Sequence, residues 1–143
     1  MKRRSFLFVM SLVSTSLFYP GHALAQTSPL TATPPEAHKL VSEKKAVLID
    51  IRTPAEWDET GVAEGALKID MTDPMFMRKI SEAVGGDRSK PIALICRTAS
   101  RSGTVQQAMI QTGYINVINV DGGMVGNRSD KGWIKHSLPM EKK

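Results

Sequence analysis

Short unbroken apolar runs alternate along this chain with stretches whose apolar residues recur every three or four positions. The runs are Ala46-Val47-Leu48-Ile49-Asp50-Ile51, Ala66-Leu67-Lys68-Ile69, Ile92-Ala93-Leu94-Ile95 after Pro91, and 115–120. Runs of this length, rich in β-branched and aliphatic residues, predict buried strands. Between them the periodicity is helical. Thr33-Pro34-Pro35-Glu36 and Thr53-Pro54-Ala55-Glu56 each give an N-cap, a proline at the first helical position and a capping-box glutamate. Ala37, Leu40 and Val41 supply the apolar face of the first helix, and Gly61 follows the second. Asp73-Pro74 opens a third, with Phe76, Ile80, Ala83 and Val84 on one face and Gly85-Gly86 beyond it. A fourth follows Cys96, with Val105, Ala108 and Met109 on one face and Gly113 as its stop.

Strands alternating with helices through short connections predict an α/β fold. It is a three-layer sandwich with a largely parallel central sheet and helices on both faces. Ligands of such sheets bind beyond the carboxyl ends of the strands. Asp50-Ile51-Arg52 and the loop that starts at Cys96 both leave strands there, so they are expected to face one crevice.

The N-terminus reads differently. Lys2, Arg3 and Arg4 precede an apolar stretch from Phe6 to Tyr19, Pro20-Gly21 breaks it, and Ala23-Leu24-Ala25 forms a cleavage site. Residues 1–25 are therefore read as a signal peptide cut after Ala25. The stretch is short and interrupted by Ser11, Ser14, Thr15 and Ser16, which makes a poor membrane span. Arg3-Arg4-Ser5-Phe6-Leu7 also resembles the twin-arginine export motif, but Lys2 and Phe8 depart from it, and general secretion is the favoured route. The expected destination is the periplasm or the medium, with no membrane insertion after cleavage. Residues 26–32 are expected to be a flexible lead, and 33–143 one domain.

Removing 25 of 143 residues leaves 118, enough to bury a core without staples. The signal carries three cations, so the net charge falls from +5 to +2. That balance, with few aromatic residues, gives no case for nucleic-acid binding. His38 and His136 stand alone, with no ligand spacing to Cys96, so neither a metal site nor a cofactor is expected.

Cys96 is the only cysteine, so it has no internal disulfide partner. A free thiol in an oxidising compartment asks for a reason. Many lone cysteines at strand ends are small buried hydrophobes. Here the thiol is followed by Arg97-Thr98-Ala99-Ser100-Arg101 at the start of a helix. Small residues let backbone N–H groups wrap an anion, and the helix end and two arginines favour a thiolate. That pattern points to a nucleophile.

The motifs resemble, in order, those of the rhodanese family. Leu48 to Trp57 is similar to its first signature, Gly65-Ala66-Leu67-Lys68-Ile69 to its Gly-Ala strand, and Cys96 to Ser102 to its active-site loop. Asn119-Val120-Asp121-Gly122-Gly123-Met124 and Leu138-Pro139 resemble its closing segment. Three features depart from the pattern. Ala99 stands where many members have glycine, Val62 where many have histidine, and Val125–Lys135 is long. The resemblance implies transfer of a sulfane sulfur from a small anionic donor such as thiosulfate to a thiophilic acceptor, cyanide or a thiol, through a persulfide on Cys96. It implies that the amides of Arg97, Thr98, Ala99, Ser100 and Arg101 hold the sulfur, with Arg97 and Arg101 drawing in the donor. Asp50, Arg52 and Glu56 are supporting residues, with Arg52 expected to pair with Glu56 across one helical turn.

Two rival readings use the same residues. Cysteine-dependent phosphatases and arsenate reductases place five residues between cysteine and arginine, whereas four separate Cys96 from Arg101. The shorter loop suits one sulfur atom better than a tetrahedral oxyanion. A persulfide carrier or regulatory module docking to a protein partner is the other rival, and no feature of the sequence identifies such a partner.

Overall fold

The computed structural model describes residues 30–142. The expected signal peptide, its cleavage after Ala25 and the start of the expected lead lie outside them. Five strands, β1 (Leu30–Ala32), β2 (Val47–Asp50), β3 (Leu67–Lys68), β4 (Ile92–Ile95) and β5 (Val117–Val120), alternate with four helices. The helices are α1 (Pro34–Ser42), α2 (Pro54–Thr60), α3 (Phe76–Ala83) and α4 (Ser100–Gln111). The strands form one all-parallel sheet in the order β1-β5-β4-β2-β3.

Alternate residues of each strand bury opposite faces, as the pleat requires. Ile49, Ile92, Leu94 and Val117 meet Phe76 and Ile80 of α3 and Val105 and Met109 of α4. Leu48, Ala93, Ile95, Ile118 and Val120 meet Ala37 of α1 and, from the C-terminal segment, Met124 and Trp133. The three-layer α/β sandwich read from the sequence is the fold. Both threonine–glutamate capping boxes form: Glu36 Oε2 accepts from the Thr33 N–H and hydroxyl, each at 2.8 Å, and Glu56 does the same for Thr53.

Three expectations need correction. The lead expected over 26–32 ends in a strand, because Leu30–Ala32 pairs in parallel with Ile118–Val120. Without it the outer edge of β5 would be open. Gln106 locks the strand in place, its side-chain amide donating to Leu30 O at 2.6 Å and Val117 O at 2.7 Å. Ala108 is exposed, and the buried face of α4 is Ser102, Val105, Gln106 and Met109. That is the i, i+3, i+4, i+7 stripe. Its two polar members are accepted because each is hydrogen-bonded, and that made the face hard to read from apolar residues alone. Finally, β5 starts at Val117, because Ile115 and Asn116 close a turn onto Arg88 and Ser89.

Candidate active site

The sheet register brings the candidate residues to one edge. Asp50 lies beside Ile95, and Leu94 beside Asn119. The residues that follow therefore leave the sheet side by side: Arg52 after β2, Cys96 after β4, Asp121 after β5.

Cys96 is 1% exposed and packs into the core cluster beneath α4. Burial alone would fit an inert filler. The polar surroundings of the sulfur do not. Sγ lies 3.4 Å from the Ser102 N–H and 3.2 Å from the Ser102 hydroxyl, in the first turn of α4. The Ser102 hydroxyl also reaches Asn119 Oδ1 at 2.6 Å. Neither Ser102 nor Asn119 was among the expected site residues. Ser102 carried a signal in the sequence, as the next turn of the helix after Cys96, whereas Asn119 reaches the site only because β5 lies beside β4.

The loop that follows is held from outside. Four successive carbonyls, those of Cys96, Arg97, Thr98 and Ala99, each accept a hydrogen bond from the segment after or within β5. Their donors are Met124 N at 2.9 Å, Val125 N at 3.0 Å, Asn127 Nδ2 at 3.1 Å and Asn119 Nδ2 at 3.1 Å. In a trans peptide the C=O and the following N–H point in opposite directions. Fixing these carbonyls outward turns the N–H groups of Arg97, Thr98, Ala99 and Ser100 to the other side. Among the described residues, no acceptor takes the N–H groups of Arg97 through Arg101. Consecutive free donors beside a thiol at a helix N-terminus make a cradle for a small anion.

Gly123 permits this fit. Its φ is +56°, and a Cβ there would lie 2.5 Å from Cys96 O. The long 125–135 segment, a departure from the family pattern in the sequence, is the brace. Asp121 Oδ1 accepts from Asn127 Nδ2 and the Ser129 hydroxyl, both at 2.9 Å, and these bonds hold its carboxyl below the usual range.

Ala99 adopts the left-handed conformation, φ +74° and ψ −6°, immediately before α4. For a residue with a Cβ this costs about 1 kcal/mol. Ala99→Gly is therefore expected to stabilise the fold by about 0.5 kcal/mol at most, net of the extra freedom glycine gains in the unfolded chain. Urea titration measures it; a loss of stability would show that the loop carries no strain at Ala99.

The charged residues sort into two groups. Asp50 and Arg52 are fully buried and pair with each other, Nε to Oδ1 at 2.9 Å and Nη2 to Oδ2 at 2.7 Å. Arg52 also donates to Glu56 O at 3.3 Å, Thr60 Oγ1 at 2.6 Å and Gly61 O at 2.8 Å. It thus stitches α2 to the end of β2. The expected Arg52–Glu56 side-chain pair does not form. A buried guanidinium needs its neutralising partner within the core, and Asp50 is that partner. The Glu56 carboxylate turns to Arg101 instead, with bonds of 2.9 and 2.5 Å. Arg101, and less so the cap at Thr53, lowers the Glu56 carboxyl to about 2, and Glu56 raises Arg101 further above its ordinary range. Arg97 pairs with Glu59 at 3.1 Å. Both loop arginines thus meet carboxylates of α2. Val62, the other departure, is buried, and its carbonyl accepts from Glu141 N at 2.8 Å.

Residues 33–130 match the rhodanese-like domain family. The chain belongs to that family. A protein named sulfurtransferase from Allochromatium vinosum is 30% identical over 105 residues, covering 73% of this chain and 86% of that protein. An uncharacterized protein from Rickettsia rickettsii is 29% identical over 108 residues, 71% of this chain and 88% of its own length. Among solved structures, the polysulfide-sulfur transferase homodimer of Wolinella succinogenes is 25% identical with a TM-score of 0.64, covering 80% of each chain. The rhodanese-like domain therefore accounts for the parallel sheet and its four helices.

Proposed function

We propose that this rhodanese-like protein is a sulfurtransferase. It moves a sulfane sulfur from a donor such as thiosulfate to a thiophilic acceptor, cyanide or a thiol. The observation that carries the reading is the set of outward-fixed carbonyls, which turns the N–H groups of Arg97 to Ser100, unpaired among the described residues, to the other side of the loop beside the only thiol. Family membership and the sulfurtransferase named among its relatives support the same chemistry.

In the first half-reaction the Cys96 thiolate attacks the outer sulfur of the donor. A new S–S bond forms on Sγ as the donor's own S–S bond breaks, and its electron pair leaves with sulfite when the donor is thiosulfate. The persulfide's terminal sulfur carries the remaining negative charge, which the loop amides are placed to bind. In the second half-reaction the acceptor attacks that sulfur, and the electron pair of the S–S bond returns to Sγ. Ser102 donates to Sγ throughout from its backbone N–H, and Asn119 holds the Ser102 hydroxyl.

The test is thiocyanate formation from thiosulfate and cyanide, run beside hydrolysis of an aryl phosphate. Turnover in the first assay alone is expected; turnover in the second alone would replace sulfur transfer with phosphatase chemistry. Export belongs to the same proposal. A mature protein beginning at Gln26 is the expected product, and one that retains Met1 would overturn that part.

A further inference from the structure

The two arginines flanking the cradle do not face an incoming donor unopposed. Glu56 and Glu59 are three residues apart on α2, on one helical face. One carboxylate takes each guanidinium: Glu56 binds Arg101, and Glu59 binds Arg97 with Nη1–Oε2 at 3.1 Å and Nη2–Oε1 at 3.5 Å. The two pairs differ in exposure. Glu56 is mostly covered and also serves the Thr53 cap, so it is part of the fold. Glu59 is 58% exposed, and its single hydrogen-bond partner among the described residues is Arg97, itself 40% exposed. An exposed ion pair adds little to stability. Its charge nevertheless sits next to the residue that follows the nucleophile.

We propose that Glu59 is a specificity-determining residue: by opposing Arg97 it lowers the positive potential that a donor meets, and so biases the site toward sulfane donors of low negative charge. The class is the thiosulfonate monoanions and singly charged hydropersulfides, at the expense of dianionic thiosulfate. This rests on the sulfur-transfer reading. Both donor classes undergo the same step. With thiosulfate, the Cys96 thiolate takes the outer sulfur and sulfite leaves with the S–S electron pair. With an alkanethiosulfonate anion, the thiolate takes the same sulfur and the alkanesulfinate leaves with the pair. The donors differ by one unit of charge, so a change in site potential acts about twice as strongly on the dianion.

The test compares kcat/KM for thiosulfate and for methanethiosulfonate anion in the full chain and in Glu59→Gln, with cyanide as acceptor. In a two-step transfer this ratio reports the donor half-reaction alone. At low ionic strength, Glu59→Gln is expected to raise kcat/KM for thiosulfate about three- to tenfold. The gain for methanethiosulfonate is expected to be roughly the square root of that factor. Both gains should shrink toward one in about 1 M salt, where charges are screened within ~3 Å. Thermal stability of the variant checks that nothing else has moved. Equal gains for the two donors, or none, would overturn the proposal while leaving sulfur transfer standing. A wild-type protein that turns over neither donor would overturn both.

Discussion

Cys96→Ser is expected to abolish sulfur transfer, lowering turnover by at least about a thousandfold, while the protein stays folded. The chain has no second thiol to take over the role. A serine hydroxyl fits where the thiol was and can accept from the Ser102 N–H, now 3.4 Å from Sγ, so the stability cost is about 1 kcal/mol. An alkoxide is not formed in this site: no histidine or other base contacts Cys96 among the described residues, and the amide cradle stabilises an anion without removing a proton. The same variant therefore separates chemistry from binding. Thiocyanate production by Cys96→Ser at more than a small fraction of the wild-type rate would show that another group carries the reaction.

Gly123→Ala is expected to destabilise the fold by about 3 kcal/mol or more, and to impair sulfur transfer in whatever folds. The added Cβ would stand 2.5 Å from Cys96 O and 2.8 Å from both the carbonyl carbon and oxygen of Arg97. All three are backbone atoms, which cannot swing away as a side chain does. Relief requires separating the 121–125 turn from the Cys96 loop. That breaks the Met124 N and Val125 N bonds to Cys96 O and Arg97 O, and the amides on the far side of those peptides lose their aim. Gly86→Ala is the control. Its φ, +78°, is also left-handed, but a Cβ there meets nothing within 4 Å, so it reports the backbone strain alone, about 1 kcal/mol. Equal losses for the two variants in urea titrations would mean that the close approach at Gly123 is not what holds the loop.

The parts of this protein that were legible in sequence are those governed by local rules. Both Thr-Pro-x-Glu starts formed the helices they announced, because an N-cap, a proline and a capping-box glutamate act within one turn. The buried strands at Leu48–Ile49 and Ile92–Ile95 followed from their unbroken apolar runs. The place of Cys96 between a strand and a helix followed from the apolar run before it and the helical spacing after it. What the sequence did not reveal depends on neighbours across the sheet. β1 is only three residues long with a polar one at its centre, and it exists because the edge of β5 offers it partners. Gln106 is buried because two carbonyls from different strands converge on its amide. The same holds within the site. Arg52 has carboxylates two and four residues away, and only packing decides that the buried Asp50 takes it and leaves Glu56 for Arg101. Asn119 and Asn127 read as ordinary strand and turn residues, yet their side-chain amides fix the carbonyls that orient the loop.

Sulfur transfer by this route passes through a covalent intermediate: one sulfur atom carried on Cys96. Its most direct measurement is the intact mass of the mature protein after brief incubation with thiosulfate and removal of the donor, followed by a second measurement after adding cyanide. The expected result is a gain of one sulfur atom, located on the peptide that contains Cys96 and absent from Cys96→Ser, which disappears when cyanide is added. An unchanged mass in a folded protein that still forms thiocyanate would contradict it, because sulfur would then pass from donor to acceptor without resting on the thiol.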